Sequence, residues 1–179
     1  MIEVILLSHS QKPLQTIAAA INQCYSKKTG AELQKEIPTE KAKRLLKIVL
    51  SSGHLSTIEH ASFSFSISRI SRVTETQLVR HRLASFSVKS GRYNKTHTDF
   101  VIPPKILGNS DAAKIVEKFK TDLNSAIESL REMGFENEDL RFLTPQGTRT
   151  NLIWNLVDIQ IFVRRLIFAG QLLASENFH

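Results

Sequence analysis

The sequence has few of the features that mark secreted or membrane proteins. Cys24 is the only cysteine among 179 residues, so no disulfide can form within them, and a reducing compartment is favoured. It falls in a helical pattern, where we expect it to fill the core. Residues 1–7 are apolar but include Glu3 and lack a basic leader, so we expect no signal peptide. No apolar run reaches membrane-spanning length. We therefore expect a cytoplasmic protein without a membrane partner.

The composition is that of a soluble globular protein. Hydrophobic residues make up 41% of the chain and charged residues 23%, and the length suffices for a single domain over residues 1–179. The net charge of +7 is compatible with nucleic acid, acidic membrane surfaces or anionic small molecules as partners. The sequence contains no basic strand interleaved with aromatic residues, so we do not expect nucleic-acid binding.

Hydrophobic periodicity predicts a mixture of strands and helices. Strict alternation over residues 61–68 is typical of a half-buried strand in an antiparallel sheet. The long helix predicted over residues 110–133 has an apolar stripe that we expect in the core, made of Ile115, Phe119, Leu123, Ile127 and Leu130. The other strands are predicted over residues 3–9, which we expect to be buried, and over 150–154. Helices are predicted to begin at Pro13 and at Pro38, the second ending at Gly53, and to run over 72–83, capped by Ser71, and over 158–173. We expect a mobile loop over 27–37 and an irregular, serine-rich loop after residue 83.

The stretch of residues 80–93 concentrates positive charge and hydroxyl groups. It holds three arginines, a lysine, a histidine and three serines, and it contains no carboxylate. Such a set suits a pocket for an anion that also offers acceptors, for which a phosphorylated nucleotide is the obvious candidate. A solvated basic turn is the alternative that this composition leaves open. Just before it, Gln77, Arg80 and His81 are spaced to project from one helical face.

A second polar segment, residues 54–60, contains two imidazoles, a carboxylate and two hydroxyl groups. Histidine and glutamate are metal ligands, but the His-Glu-x-x-His spacing that places two imidazoles on one helical face is missing. We therefore expect no metal site. These side chains could equally serve as helix caps or as hydrogen-bond partners.

In combination, these motifs resemble the flavin-dependent thymidylate synthase family. The core signature of that family is Arg-His-Arg, a serine three residues on, and then Ser-x-Arg-Tyr, and each fixed position is present within residues 80–93. The preceding Gly-His-x-Ser-x-x-Glu-His segment, residues 53–60, lies at the right distance. A weaker match continues through Arg141, Pro145, Thr150 and Trp154. The resemblance extends from the first predicted strand to about Trp154.

The resemblance implies a fold, a reaction and an assembly. The fold is α/β (α+β), an antiparallel sheet flanked by helices, and the assembly is a homotetramer with sites shared between subunits. The reaction is the reductive methylation of dUMP to dTMP, with FAD as cofactor, NADPH as reductant and methylenetetrahydrofolate as one-carbon donor. Reduced flavin supplies the hydride, so the family chemistry needs no protein nucleophile.

The resemblance also assigns roles to individual residues. Ser90 is assigned to substrate binding, because the sequence places no base beside it that would make it a nucleophile. The arginines suit the diphosphate of the cofactor and the phosphate of the nucleotide. The implied dUMP-binding residues are Gln77, Arg80, Val88, Lys89, Ser90, Gly91 and Arg92. The implied FAD-binding residues are His54, Ser56, Glu59, Arg80, His81, Arg82 and Val88.

Several positions depart from the family pattern. Many members have Asn-Glu where this chain has Ser87 and Val88, which removes a carboxylate that contacts both flavin and nucleotide. The family's Asn-Ala-Arg, whose arginine binds the nucleotide, falls on residues 157–159, which read Val-Asp-Ile. The family's uracil-ionising arginine is not found in the short, divergent residues 155–179, although Arg164 or Arg165 could substitute. We therefore assign no catalytic residue. The chain is either an active methyltransferase or a truncated or degenerate homologue that binds FAD or nucleotide without turnover.

Overall fold

The structure is a computed structural model that describes residues 1–81, 84–94 and 99–156. Its strands are β1 Glu3–His9, β2 Phe63–Ser71, β3 Ala84–Val88 and β4 Arg149–Leu156. They form a four-stranded antiparallel sheet in the order β1-β2-β4-β3. The helices are α1 Pro13–Gln23, α2 Gly30–Glu36, α3 Thr39–Ser52, α4 Arg72–Leu78, α5 Pro104–Leu107, α6 Ser110–Glu132 and α7 Asn137–Leu140, with short 3-10 helices at Leu55–His60 and Arg141–Leu143.

The predicted fold class is confirmed, since helices are combined with an antiparallel sheet. The helix predicted over residues 158–173 lies outside the described residues. The described chain divides into two compact units. The first unit comprises residues 1–5, 66–81, 86–94 and 99–153, and the second unit comprises residues 6–65, 84–85 and 154–156.

The second unit is built on helices. One core cluster joins Ile17 of α1 to Val49 of α3 and to Leu55 and Ile58 of the first 3-10 helix. Another joins α1, α2 and α3 through Ala18, Ala19, Leu33, Ile37 and Ala42. As predicted, α1 begins with a proline in its first turn, and α3 ends at Gly53, whose φ of 78° suits a residue without a Cβ.

In the first unit, one face of β4 is buried. Thr150 and Leu152 are buried, whereas Asn151 and Ile153 between them are exposed, which is the alternation expected of a strand with one covered face. Ile127 of α6 and Leu140 of α7 are buried in the same unit. Within the part of the chain that the structure describes, no helix is both long and apolar enough to cross a membrane.

Three predictions about burial are wrong. The strand predicted as buried is β1, whose residues are all exposed because it lies at the edge of the sheet. In α6, Ile127 is buried, but Ile115 and Phe119 are 71% and 50% exposed. An apolar run or stripe indicates that burial would stabilise a segment, but it does not tell whether residues of the same chain bury it. Cys24 is exposed because it lies after the last residue of α1 rather than on its buried face.

The segment predicted as a mobile loop, residues 27–37, contains α2. Thr29 starts it with a reciprocal capping box: its Oγ1 accepts from the Glu32 N–H at 3.3 Å, and a Glu32 carboxylate oxygen accepts from the Thr29 N–H at 2.7 Å. The Thr29 N–H, and then the Thr29 hydroxyl, which donates to the same carboxylate oxygen at 2.8 Å, hold the pKa of Glu32 below its usual value. The Thr-x-x-Glu spacing is a recognised helix-start signal, and it outweighs Gly30 and the polar composition.

Two further boundaries differ from the predictions around the basic stretch. Ser71 caps α4 as expected, its Oγ accepting from the Thr74 N–H at 3.1 Å, but α4 ends at Leu78 rather than near residue 83. Residues 84–88, which were predicted as irregular, form β3 beside β4. Serines alternate with larger side chains there, and pairing with β4 decides the conformation where local propensity is weak.

We expect Thr29→Ala to lower the free energy of unfolding by about 1 kcal/mol, because the α2 amide that Thr29 caps loses its acceptor. Urea denaturation measures this change. The matched control is Thr121→Ala within α6, where the exposed hydroxyl donates to the Glu117 carbonyl. That change should stay within about 0.5 kcal/mol. Equal losses at both positions would contradict the capping role.

Candidate functional site

A cavity of about 630 Å³ opens in the first unit beside the C-terminal end of β3. Its wall combines α4, the segment that follows β3 and the chain that leads into β4. The lining residues are Arg72, Glu75, Thr76, Val88, Lys89, Ser90, Gly91, Arg141, Phe142, Thr144, Pro145, Gln146 and Thr148. Three cationic side chains and one carboxylate therefore surround it, together with several hydroxyl groups.

The residues 88–91, which we call the 88–91 segment, form one side of this cavity. The Lys89 N–H donates to the Asn151 carbonyl at 2.9 Å, so the segment continues the pairing of β3 with β4 by one residue. The Ser90 carbonyl accepts from the Asn94 side-chain amide at 2.9 Å. The Ser90 hydroxyl accepts from the Arg92 N–H at 3.2 Å. The backbone of this segment is thereby fixed on both sides of Ser90.

Two backbone donors of the segment have no partner among the described residues. Neither the Ser90 N–H nor the Gly91 N–H makes a hydrogen bond within those ranges. Adjacent free amides beside cationic side chains are the arrangement that binds oxyanions such as phosphate. The Ser90 hydroxyl, which accepts from Arg92, retains its own hydrogen for donation. The site therefore offers donors where an anion would sit.

Arg72 links α4 to this segment. One of its terminal nitrogens donates to a Glu75 carboxylate oxygen at 2.8 Å, and the other donates to the Lys89 carbonyl at 3.1 Å. The pair is largely shielded, since the side chains of Arg72 and Glu75 are 29% and 13% exposed. The backbone N–H of Arg72 donates to the Thr148 carbonyl at 3.0 Å. Arg72 thus contacts all three parts of the cavity wall.

Arg141 and Thr148 also line the cavity. The Arg141 guanidinium stacks over the Phe142 ring at 5.5 Å from its centroid, and its Nε donates to the Glu138 carbonyl at 3.1 Å. The Thr148 hydroxyl is buried and has no hydrogen-bond partner among the described residues. A buried, unsatisfied hydroxyl in a cavity wall is consistent with a site that takes a polar ligand or ordered water.

Arg92 lies outside the cavity lining and forms an ion pair with Glu138 of α7. The pair is exposed, with 44% and 47% of the two side chains accessible, so its contribution to stability is small. A hydrogen bond with the Tyr93 side chain and the charge of Glu138 raise the pKa of the Arg92 guanidinium above its usual value. The pairing with Glu138 was not predictable from sequence, because the two residues lie 46 positions apart along the chain.

Most of the described residues implied for flavin binding are exposed. In the first unit, Arg80 is exposed near the end of α4, as is Gln77 of the implied dUMP-binding set, and His81 is half-buried. No described residue forms an ion pair with Arg80, so its charge is open to an anionic ligand. In the second unit, His54, Ser56 and Glu59 are exposed in and before the first 3-10 helix. Arg82 lies outside the described residues.

The structure therefore brings only some of the sequence-predicted substrate residues together. Val88, Lys89, Ser90 and Gly91 line the cavity, while Gln77, Arg80 and Arg92 do not. Sequence reasoning assigned no site role to Arg72, Glu75 or Thr148. The Arg-x-x-Glu spacing directly after the Ser71 cap was an available signal for the first two, since residues three apart meet on a helix. In the described ranges, no group of three or more His, Cys, Asp or Glu residues is arranged to hold a metal ion.

Comparison with solved structures defines the class of fold. The chain superposes on a UMP/dUMP methylase from Streptomyces cacaoi bound to 5-Br dUMP, with a TM-score of 0.72 and 21% identity over 87% of this chain and 72% of the other. It also superposes on thymidylate synthase X from Helicobacter pylori with FAD and dUMP, with a TM-score of 0.60 and 24% identity over 87% and 78% of the two chains. At these identities the similarity establishes the fold.

Sequence comparison establishes the family. The family described as thymidylate synthase complementing protein matches residues 5–157. The flavin-dependent thymidylate synthase of Nitratidesulfovibrio vulgaris is 39% identical over 83% of this chain and 66% of its own length. That of Pyrococcus abyssi is 35% identical over 90% and 69%. The chain belongs to the flavin-dependent thymidylate synthase family, and it spans about two thirds of the length of these relatives.

Substitutions of two glycines, Gly91 in the cavity wall and Gly53 at the end of α3, test the described backbone. A Cβ added to Gly91 would meet Arg141 Cβ at 3.5 Å and an Arg72 nitrogen at 3.6 Å, which are ordinary contacts. We therefore expect Gly91→Ala to change the free energy of unfolding by no more than about 0.5 kcal/mol. Gly53→Ala should cost about 1 kcal/mol, because φ is 78° there. Denaturant titration of both variants measures this, and a larger loss at Gly91 than at Gly53 would contradict the described backbone.

Proposed function

We propose that this protein catalyses the FAD-dependent reductive methylation of dUMP to dTMP, with methylenetetrahydrofolate as carbon donor and NADPH as reductant. The observation that supports this most is the cavity at the 88–91 segment, where two free backbone amides lie among cationic side chains. Family membership supports the reaction, and the donors of this site support its use for a nucleotide phosphate. The names of the matched relatives point to the same chemistry.

In this proposal the 88–91 segment and Arg92 hold the nucleotide. The Ser90 and Gly91 amides and the Lys89 ammonium bind the phosphate. Arg92 is able to bind it bidentately after leaving Glu138, because a phosphate dianion attracts a guanidinium more strongly than a single exposed carboxylate does. Gly91 has no side chain to obstruct this approach. Gln77 and Arg80 complete the nucleotide site.

The exposed residues implied for FAD fit such a cofactor chemically. Arg80 is an unpaired cation among the described residues, and Ser56 and His54 offer exposed polar groups, which suits a diphosphate and the polar edge of a flavin. We assign FAD contacts to His54, Ser56, Glu59, Arg80, His81, Arg82 and Val88. When bound, the flavin supplies the hydride for the reaction. The side chains of this protein bind and orient both ligands and exclude water from between them.

Assembly into a homotetramer with shared sites belongs to the same proposal. Val4, Ile5, Leu6 and Leu7 of the edge strand β1 are about half exposed, and exposed edge strands with apolar side chains are typical contact surfaces between chains. Ile115 and Phe119 of α6 form a second exposed apolar surface. We also propose a single domain and a cytoplasmic location, in keeping with thymidylate biosynthesis.

Binding without turnover is the second candidate function. It is favoured by one observation, that Val-Asp-Ile occupies residues 157–159, where the family has the nucleotide-binding Asn-Ala-Arg. Under this alternative the 88–91 segment would still bind a phosphorylated ligand, but the uracil would not be activated.

Flavin absorbance and dUMP-dependent turnover test the proposal in two steps. Purified protein should be yellow or should take up added FAD, with a flavin absorbance spectrum. A colourless protein that takes up no FAD would contradict both candidate functions. With reduced FAD bound, methylenetetrahydrofolate-supported oxidation of the flavin should depend on dUMP. Oxidation that is indifferent to dUMP would favour binding without turnover.

We expect Arg92→Ala to weaken dUMP binding by about 10- to 100-fold while FAD stays bound, because a charge-assisted contact to phosphate is lost. Calorimetric titration with dUMP and the flavin spectrum measure the two affinities. Arg44→Ala, on the exposed face of α3, is the control for loss of one positive charge. Equal loss of both ligands in Arg92→Ala would show that the nucleotide and cofactor roles are divided wrongly.

A further inference from the structure

Arg72 donates a hydrogen bond to the Lys89 carbonyl, and a direct role of Arg72 in ligand binding would not account for that bond. Its guanidinium is held between the Glu75 carboxylate and the Lys89 carbonyl, at 2.8 and 3.1 Å. Both contacts are to the protein itself, and both are partly buried. Glu75 neutralises the charge and fixes the plane of the guanidinium, so that the second terminal nitrogen is aimed at the 88–91 segment.

The contact with the Lys89 carbonyl has a consequence for the next amide. The Lys89 carbonyl and the Ser90 N–H belong to one planar trans peptide unit and point in opposite directions. Whatever holds the carbonyl therefore also directs the N–H. The preceding peptide unit is fixed independently by the hydrogen bond between the Lys89 N–H and the Asn151 carbonyl, at 2.9 Å. Arg72 thus removes the remaining rotational freedom at Lys89.

The amide that Arg72 directs is one of the two free donors of the site. The Ser90 N–H has no partner within the described ranges, while the next peptide unit is held by Asn94, which donates to the Ser90 carbonyl. A backbone donor that is fixed before the ligand arrives costs less ordering on binding than one on a loose loop. The Ser90 and Gly91 amides are therefore oriented before a ligand binds, the first through Arg72 and the second through Asn94.

We propose that Arg72, oriented by Glu75, is a positioning residue that aims the Ser90 amide at the phosphate of the nucleotide substrate. This inference rests on the proposed function, since the phosphate belongs to dUMP. Arg72 acts through the Lys89–Ser90 peptide unit and not through its own charge. Lysine is therefore not an adequate substitute, because one ammonium group lacks the planar pair of donors that contacts carboxylate and carbonyl together.

The test compares dUMP with deoxyuridine, which lacks the phosphate, by calorimetric titration of the full chain with FAD. Arg72→Lys and Arg72→Gln should each weaken dUMP binding about tenfold, the effect of one well-aligned hydrogen bond to a charged group. Affinity for deoxyuridine and the flavin spectrum should stay unchanged. Discrimination between the two ligands therefore falls about tenfold, an effect that general loosening of the fold would not produce. Arg44→Gln controls for net charge and should leave both affinities unchanged.

Two results would overturn the inference while leaving the proposed function intact. One is unchanged dUMP affinity in Arg72→Gln. The other is full affinity in Arg72→Lys with loss in Arg72→Gln, which would mean that charge alone matters. If both Arg72 variants fail to fold, Glu75→Gln decides: it should weaken dUMP binding about threefold, and unchanged binding would overturn the inference. A wild-type protein that binds FAD but not dUMP would overturn the proposed function, and this inference with it.

Discussion

The proposed nucleotide site depends on the planarity of three successive peptide units. Asn151, Arg72 and Asn94 each hold one hydrogen-bonding group of the backbone from Lys89 to Ser90, and the remaining amides point where the protein offers them no partner. Ser90 is exposed and Gly91 is half-buried, so solvent satisfies these donors in the free protein. Hydrogen bonds from β4, α4 and Asn94 hold the backbone of the segment, so the donors remain available for a ligand.

The support for this arrangement extends into the sheet. Asn151 accepts from the Lys89 N–H through its backbone and from the Arg69 N–H through its side chain, at 2.9 Å in both cases. Arg69 has a φ of 63°, an uncommon value for a residue with a side chain within a strand. The Asn151 side chain satisfies the amide that this local distortion of β2 turns away from the strand ladder. Asn151 of β4 therefore stabilises both the distortion in β2 and the start of the 88–91 segment.

The signature residues in the sequence predicted the family, and local signals predicted much of the fold. Pro13, Gly53 and Ser71 mark helix ends through their own backbone and side-chain chemistry, and the structure confirms each one. The capping box of Thr29 and Glu32 was also readable, but the polar residues around it led to the prediction of a loop. By contrast, the exposure of β1 and of Ile115 depends on which surfaces this chain covers, and no local pattern contains that information.

The site shows the same division between local and long-range information. The composition of residues 80–93 was compatible with an anion pocket or a solvated turn, and the family resemblance assigned Lys89, Ser90 and Gly91 to the nucleotide. The roles of Arg72 and Asn151 were not predictable, because each depends on a contact with the 88–91 segment from a distant part of the sequence. Composition identifies the residues able to bind phosphate, whereas tertiary contacts determine which of their donors are free.

A crystal structure of the protein with FAD and dUMP would test the central claim most directly. We expect a phosphate oxygen within about 3 Å of the Ser90 and Gly91 nitrogens, with the Lys89 carbonyl still bound to Arg72. A phosphate bound elsewhere on the chain, with both amides left without a ligand, would contradict the assignment of the 88–91 segment as the nucleotide site.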